Sequence, residues 1–124
     1  MTGNGEPGPW PSELRLNPEK NILSITFTDG TAETLAAEFL RVHSPSAEVQ
    51  GHSPSERKLV PGKRNVTIKA IEPVGNYAVR LVFSDGHNTG IYSWAYLYEI
   101  GHKKVAMWHS YLEELAAKGF SRES

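Results

Sequence analysis

Three histidines are the residues of this chain whose side chains could act together chemically. His43 and His52 lie in one segment without periodicity, and His87 follows an Asp-Gly pair. If the segment folds over the Asp-Gly turn, the imidazoles converge and Glu48 adds a carboxylate. Two histidines and a carboxylate suit Fe(II) or zinc. The sequence therefore raises an iron or zinc site, although no histidine pair has the i,i+4 spacing of two ligands on one helix.

Other catalytic patterns are incomplete. The chain has no cysteine, which excludes thiol nucleophiles, thiolate metal ligands and disulfides. Gly51-His52-Ser53-Pro54-Ser55 lacks the final glycine of a nucleophile elbow. Gly62-Lys63-Arg64 lacks the Ser or Thr of a phosphate-binding loop. We therefore predict no catalytic residue and do not expect an enzyme.

The segment that carries His43 and His52 could instead bind a protein partner. It spans about two dozen residues, from 42 to 65, and loops of this length inside compact domains are usually functional or disordered. A solvated connection without a function is the open alternative. Tyrosine is favoured at interfaces, so a tyrosine of the later aromatic stretch is a candidate anchor. The predicted interaction surface comprises Arg41, Ser44, Pro45, Ser46, Glu48, Gly51, His52 and Tyr96.

Charge and hydropathy narrow the possible partners. The formal net charge is −1 and the basic run from Arg57 to Lys69 has no interleaved aromatic residues, so a nucleic acid partner is not expected. The mean hydropathy is −0.42, and no apolar run is long enough to cross a membrane. The first residues have neither a basic start nor an apolar stretch, which is unlike a signal peptide. These features predict a cytoplasmic protein.

Two similar units must position these side chains. In the first, Leu23, Ile25 and Phe27 alternate with polar residues up to Asp29-Gly30, and a strand and a short helix over 35–41 follow. In the second, an alternating stretch ends at Asp85-Gly86, and a strand and a short helix follow. Asp-Gly pairs favour tight hairpin turns. The sequence predicts a strand, Asp-Gly turn, strand, helix unit used twice.

The end of the chain predicts further helices. Ser93 is a candidate N-cap of a short helix over 94–100 that Gly101 would end, and a final amphipathic helix would run from about 105 to 118. The predicted fold class is therefore α+β, a mostly antiparallel sheet built from two similar hairpin-plus-short-helix units with a C-terminal amphipathic helix. We predict a flexible tail at 1–11, one domain over 12–119 and a short tail at 120–124.

The motifs themselves carry a family likeness. Leu40 to His52 reads LRVHSPSAEVQGH, and FSDGH at 83–87 and YSWAYL at 92–97 follow in the same order. Together they resemble the N-terminal domain of gamma-butyrobetaine hydroxylase-like proteins, over about 11–101. The resemblance implies an accessory or adaptor role linked to iron or iron–sulfur metabolism. In the hydroxylases a separate domain holds the catalytic iron, so oxygenase activity is not expected of these 124 residues.

The resemblance also indicates whether this chain keeps the zinc site of the family. Family members bind a structural zinc through loop cysteines and one histidine. Ser44 and Ser46 stand where two of those thiolates would be, Val49 stands near the third, and His87 keeps the histidine position. A serine hydroxyl is a poor zinc ligand and valine is none. The family zinc site is therefore expected to be lost here.

Overall fold

The computed structural model describes residues 8–123 and contains two three-stranded antiparallel sheets and a long C-terminal helix. Strand order is β1-β2-β3 in one sheet and β4-β5-β6 in the other. The predicted α+β fold class is confirmed. The elements are β1 (Pro11–Leu16), β2 (Ile22–Phe27), β3 (Ala32–Ala36), α1 (Ala37–Val42), α2 (Ala47–Gln50), a 3-10 turn (Pro54–Glu56), β4 (Ile68–Val74), β5 (Ala78–Phe83), β6 (Ile91–Ser93) and α3 (Trp94–Lys118).

The two sheets repeat one pattern in detail. Phe27 of β2 pairs with Pro11, and Phe83 of β5 pairs with Ile68. In both sheets the register shifts directly after this pair, so a bulge lies at the same place in each unit. The alternation seen in the sequence follows the pleat, which sends successive side chains to opposite faces. The inward set forms the core, with Leu23, Ile25, Phe27, Leu81 and Phe83 at most 2% exposed.

The C-terminal helix differs from the sequence prediction. α3 is continuous over 25 residues, so the short helix ending at Gly101 and the separate helix over 105–118 are one element. Gly101 is buried inside it, and a Cβ there would lie 2.8 Å from Cγ of Glu33. The glycine therefore marks close approach to β3 and not a helix end. Ser93 caps α3 as predicted, since its side chain accepts from Tyr96 N, and Gly119 ends it in a left-handed conformation.

Both ends of the described chain contact the domain. Residues 1–7 of the predicted N-terminal tail lie outside the described residues, whereas β1 already begins at Pro11. Near the other end, Arg122 binds the buried carboxylate of Glu38 through Nε at 2.8 Å and Nη2 at 2.7 Å. Contacts of the fold thus extend beyond 12–119. Within residues 8–123, no helix is long and apolar enough to span a membrane.

Candidate functional site

The loop after α1 lies against the second Asp-Gly turn. Ser44 is completely buried and Ser46 is 7% exposed. Ser46 Oγ lies 2.7 Å from Oγ1 of Thr89, and Ser44 contacts His87, so both serines reach the segment that follows Gly86. Ser46 also caps α2, because its hydroxyl oxygen accepts from the backbone N–H of Glu48 at 3.1 Å. The loop is therefore fixed at its inner side by short polar side chains.

His87 joins the loop to the turn through both ring nitrogens. Nδ1 lies 3.1 Å from Oε1 of Glu48, and Nε2 lies 2.9 Å from Oγ of Ser44. Burial lowers the pKa of His87 below its ordinary 6.5, the Arg41 guanidinium lowers it further, and the Glu48 carboxylate opposes both. The ring is therefore neutral at pH 7. Because a carboxylate only accepts, Nδ1 donates to Glu48 and Nε2 accepts from the Ser44 hydroxyl.

These three side chains are hydrogen-bonded in the same order as the serine–histidine–acid catalytic triad of hydrolases. We call Ser44, His87 and Glu48 the relay. Access decides what this relay can do. Ser44 is completely buried, and a Cβ on Gly90 would lie 2.5 Å from its Oγ, so the Gly90 backbone packs directly against the hydroxyl. None of the three main cavities found in residues 8–123 is lined by Ser44 or His87. The relay of Ser44, His87 and Glu48 therefore acts as a structural link between loop and turn.

Asp85 anchors the same turn through charge. Its Oδ2 lies 2.8 Å from Nε of Arg41 and 2.7 Å from Nζ of Lys63, and its Oδ1 accepts from the backbone N–H of His87 at 3.1 Å. Burial raises the pKa of Asp85, but the bonds from Lys63, His87 and Arg41 outweigh it and hold the pKa at about 2. One carboxylate thus pairs with two basic side chains, those of Arg41 and Lys63.

The other two candidate metal ligands lie apart from His87. The Nδ1 of His43 bonds to the Phe39 carbonyl oxygen at 3.0 Å, its ring packs 6.2 Å from that of Tyr111, and burial lowers its pKa. His52 is exposed. Within residues 8–123, no three histidine, aspartate or glutamate side chains are grouped as a metal site requires. The loop folds over the turn as the metal hypothesis needs, but the imidazoles do not converge.

The predicted interaction surface divides into an inner and an outer part. Arg41, Ser44 and Ser46 point inward, and the Arg41 side chain is only 12% exposed, so these three are not available to a partner. Gly51 has a positive φ of 68°, and a Cβ there would lie 2.5 Å from Cβ of Glu56, which makes it a structural requirement. The outer part consists of Pro45, Glu48, His52 and the half-buried Tyr96, and the exposed Ala47, which was not predicted, lies beside them in the chain.

A cavity of about 410 Å³ separates the loop from α3. Tyr96 lines it and donates its hydroxyl to the His43 carbonyl oxygen at 2.6 Å, which ties α3 to the loop. The amide nitrogen of Gln50 donates to the Ser44 carbonyl oxygen at 2.8 Å on the loop side. Sequence reasoning missed Gln50, Thr89 and Gly90, because their roles depend on partners about 6 to 46 residues away that no local spacing indicates.

Comparison with known proteins agrees with this fold. The sequence matches the family model described as gamma-butyrobetaine hydroxylase-like, N-terminal, over residues 14–98. One solution NMR structure is 46% identical with a TM-score of 0.80, covering 93% of this chain and 90% of its own. A second is 48% identical with a TM-score of 0.80, covering 98% and 90%.

A crystal structure from Acidithiobacillus ferrooxidans is also similar, and it is described as a protein of unknown function in the DUF971 family. It is 38% identical with a TM-score of 0.62, covering 73% of this chain and 91% of its own. No curated protein matches this sequence. The family model covers well over half of the chain, including both Asp-Gly turns and the relay. The chain belongs to the gamma-butyrobetaine hydroxylase-like N-terminal domain family.

Proposed function

We propose that this chain is a non-catalytic accessory domain that binds a protein partner through the outer face of its 43–52 loop. The observation that carries the proposal is the relay, because it fixes the loop from inside while leaving its outer side chains free. Glu48 contributes one carboxylate oxygen to His87, yet its side chain remains 62% exposed. A surface that is already ordered loses less conformational entropy when it binds.

The cavity between the loop and α3 supports the same surface. Tyr96 and His43 line it beside polar groups of the loop, and aromatic side chains in a concave site are common anchors of protein interfaces. His43 is neutral at pH 7 because burial lowers its pKa. With Nδ1 bonded to the Phe39 carbonyl oxygen, its Nε2 is the acceptor that a partner could use.

The finer parts of the proposal rest on composition and on the family. A link to iron or iron–sulfur metabolism follows from the family resemblance, and a cytoplasmic location accords with a chain that has no cysteine. Metal binding by His43, His52, His87 and Glu48 has less support. Both nitrogens of His87 are already bonded, so a metal would have to displace Ser44 or Glu48.

A pair of alanines offers a direct test. Ala47 on the outer face of the loop and Ala117 in the last turn of α3 are both exposed and both helical. We expect wild-type protein and Ala117→Arg to retain the same partners from an extract of the native cells, and Ala47→Arg to lose at least one. Quantitative mass spectrometry of the captured proteins measures this difference.

The folded state of each variant is checked by the NMR signal of the His87 ring, which reports on the relay directly. Identical partner sets for all three proteins, with the His87 signal unchanged, would contradict the loop as the binding surface. A partner lost from both variants would point to an unspecific effect of the added charge, and it too would count against the proposal.

A further inference from the structure

Among residues 8–123, no strand pairs with the backbone groups on the outer edge of β3. The Phe27 N–H donates to the Thr31 carbonyl oxygen at 2.8 Å, and Ser24 of β2 pairs with Thr34 of β3. Bonded and non-bonded pairs alternate along an antiparallel ladder, so the N–H and carbonyl of Thr34 point away from β2. In agreement, the Thr34 carbonyl oxygen accepts from Nζ of Lys104 at 3.0 Å. A lysine side chain, and not a strand, occupies this edge.

A groove of about 510 Å³ lies between this edge and α3. From β3 it is lined by Thr34, Leu35 and Ala36, and from α3 by Val105 and Trp108 among others. The Val105 side chain faces solvent, with the residue 66% exposed. An edge strand beside an apolar groove that a helix borders is the arrangement in which β-strand addition binds extended peptides.

Charge indicates what kind of peptide fits. The charged side chains that line the groove are Glu38, Lys104 and Arg122, so cations outnumber anions. Glu38 is already bound by two nitrogens of Arg122, whose guanidinium lies 5.2 Å from the Trp108 ring centre. A strand that bonds to the Thr34 carbonyl oxygen displaces Lys104, which then stands at the peptide with its charge only partly compensated by Glu33 at 3.4 Å.

We propose that β3 binds an extended segment of a partner protein in which apolar residues alternate with acidic ones. The segment pairs with Thr34, its apolar side chains enter the groove beside Val105 and Trp108, and an acidic side chain meets Lys104. This surface is separate from the 43–52 loop, and it does not depend on the function proposed for that loop.

An eight-residue peptide that alternates valine and glutamate, with blocked ends, is the probe. We expect it to shift the backbone amide signals of Thr34 and Ala36 in NMR spectra and to slow hydrogen exchange at Thr34. Thr34→Pro removes the outward N–H and the Thr34 side chain but no hydrogen bond to β2, and proline is tolerated on an edge strand when its nitrogen faces away from the sheet. We expect this variant to lose binding, and Val105→Asp to weaken it.

Matched probes separate the contributions. A peptide with N-methylated backbone amides cannot donate to the edge and should not bind. A valine–lysine peptide should bind up to about fivefold more weakly, because an exposed ion pair contributes little. Ala47→Arg should leave peptide binding unchanged, so the proposal for β3 and the proposal for the 43–52 loop are tested independently. No shift at Thr34 with the valine–glutamate peptide, or binding that survives Thr34→Pro, would overturn the proposal. Thr34 shifts on concentrating the protein alone would identify a second copy as the occupant and overturn it as well.

Discussion

The turns at Asp29-Gly30 and Asp85-Gly86 have nearly the same backbone and very different surroundings. Gly30 and Gly86 have φ angles of 90° and 93°. In both turns the phenylalanine N–H donates to the carbonyl oxygen four residues later, at 2.8 Å in the first and 2.9 Å in the second. In both, the aspartate Oδ1 accepts from the N–H two residues on. The local sequence therefore builds the turn, and long-range contacts decide its environment.

Those contacts are exchanged between the two units. The Tyr98 hydroxyl of the second unit donates to Asp29 of the first at 2.6 Å, and Arg41 of the first unit binds Asp85 of the second. Both contacting residues lie five positions after the residue that precedes their helix, Ala36 or Ser93. Each helix thus covers the turn of the other unit, once with a neutral phenol and once with a guanidinium.

The units diverge three residues further along. α1 ends at Val42 and the chain turns over the second Asp-Gly turn, so Ser44 meets Gly90. α3 continues, and at the equivalent place Gly101 meets the side chain of Glu33. In each pair one member is a glycine, and a Cβ on it would lie 2.5 Å from Oγ of Ser44 or 2.8 Å from Cγ of Glu33. The loop after α1 has no counterpart within α3, and it encloses the second turn while the first turn stays open.

The largest expected difference between the two turns is zinc binding, which can be introduced at the second turn. The triple variant Ser44→Cys, Ser46→Cys and Val49→Cys places three thiols near His87, as the family resemblance implies for its zinc-binding members. We expect one zinc ion per chain, with about 10 kcal/mol of binding free energy or more, because a closed site of three thiolates and one imidazole binds zinc strongly. A competition titration with a chromogenic chelator measures it. Adding His87→Ala should weaken zinc binding strongly, and equal affinity with and without His87 would contradict the assignment.

The next largest difference is the loss of stability when the aspartate of each turn is removed. Asp85→Ala leaves Arg41 and Lys63 largely buried without their anion, and we expect a loss of about 3 kcal/mol in the free energy of unfolding. Asp29→Ala, at the exposed turn, should cost clearly less. Urea unfolding at pH 7 compares the two variants with the wild type. Equal losses would show that the surroundings of the turns do not matter.

The two close-approach glycines give a smaller contrast. Gly90→Ala places a Cβ against the buried Ser44 hydroxyl, and overpacking of this kind costs about 2 kcal/mol. Gly101→Ala meets only the flexible Glu33 side chain, while alanine favours the helix by about 1 kcal/mol. We expect Gly101→Ala to be nearly neutral. Thermal unfolding of both variants tests this, and a larger loss at Gly101 than at Gly90 would reverse the interpretation.

Acid should weaken the second turn. The folded pKa of Asp85 is about 2, below its ordinary value of 3.8. A lowered carboxyl pKa stabilises the fold above the unfolded value, and this contribution is lost as the pH falls from about 4 to about 2. Because solvent screens part of the interaction, we expect about 1 kcal/mol. The difference in stability between wild type and Asp85→Asn should shrink over this range. A constant difference would contradict the pKa.

The smallest expected effect concerns the first turn. The Tyr98 hydroxyl is the main cause that lowers the pKa of Asp29. Tyr98→Phe should therefore raise the Asp29 pKa toward its ordinary value of 3.8, while stability hardly changes because the ring that packs on Phe27 is kept and the lost hydrogen bond is exposed to solvent. An NMR titration of the Asp29 carboxyl carbon provides the measurement. An unchanged pKa would mean that backbone bonds alone hold this carboxylate.

The strands and turns could be predicted from the sequence because their signals are local. Alternation placed Ile25 and Phe27 in the core, and Asp-Gly pairs placed both hairpin turns. Gly101 was misinterpreted as a helix end, since glycine usually follows the last helical residue. Its true reason is the approach of Glu33, 68 positions earlier. A contact at that separation leaves no trace in a local pattern.

The proximity of the 43–52 loop to His87 was predictable from the sequence, but the contacts between them were not. The sequence indicated that the 43–52 loop and His87 belong together, and the structure brings Ser44 and Glu48 onto the His87 ring. Alternation and spacing do not show whether the Arg41 side chain points inward or outward. It was expected at the surface, but it is largely buried and bonded to Asp85. Burial of a charged side chain depends on its distant partner, which only the assembled fold supplies.

Because α1 contacts the turn of the second unit and α3 contacts the turn of the first, the two units depend on each other during folding. Arg41 reaches Asp85 across 44 residues and Tyr98 reaches Asp29 across 69, so each unit supplies the side chain that covers the turn of the other. Contacts this distant in sequence slow folding, because loop closure must precede them. Because of these contacts, each half of the chain also needs the other half to reach its folded state. A chain cut within the exposed 52–58 segment should yield two fragments that are unfolded apart and that regain structure together, in one cooperative step.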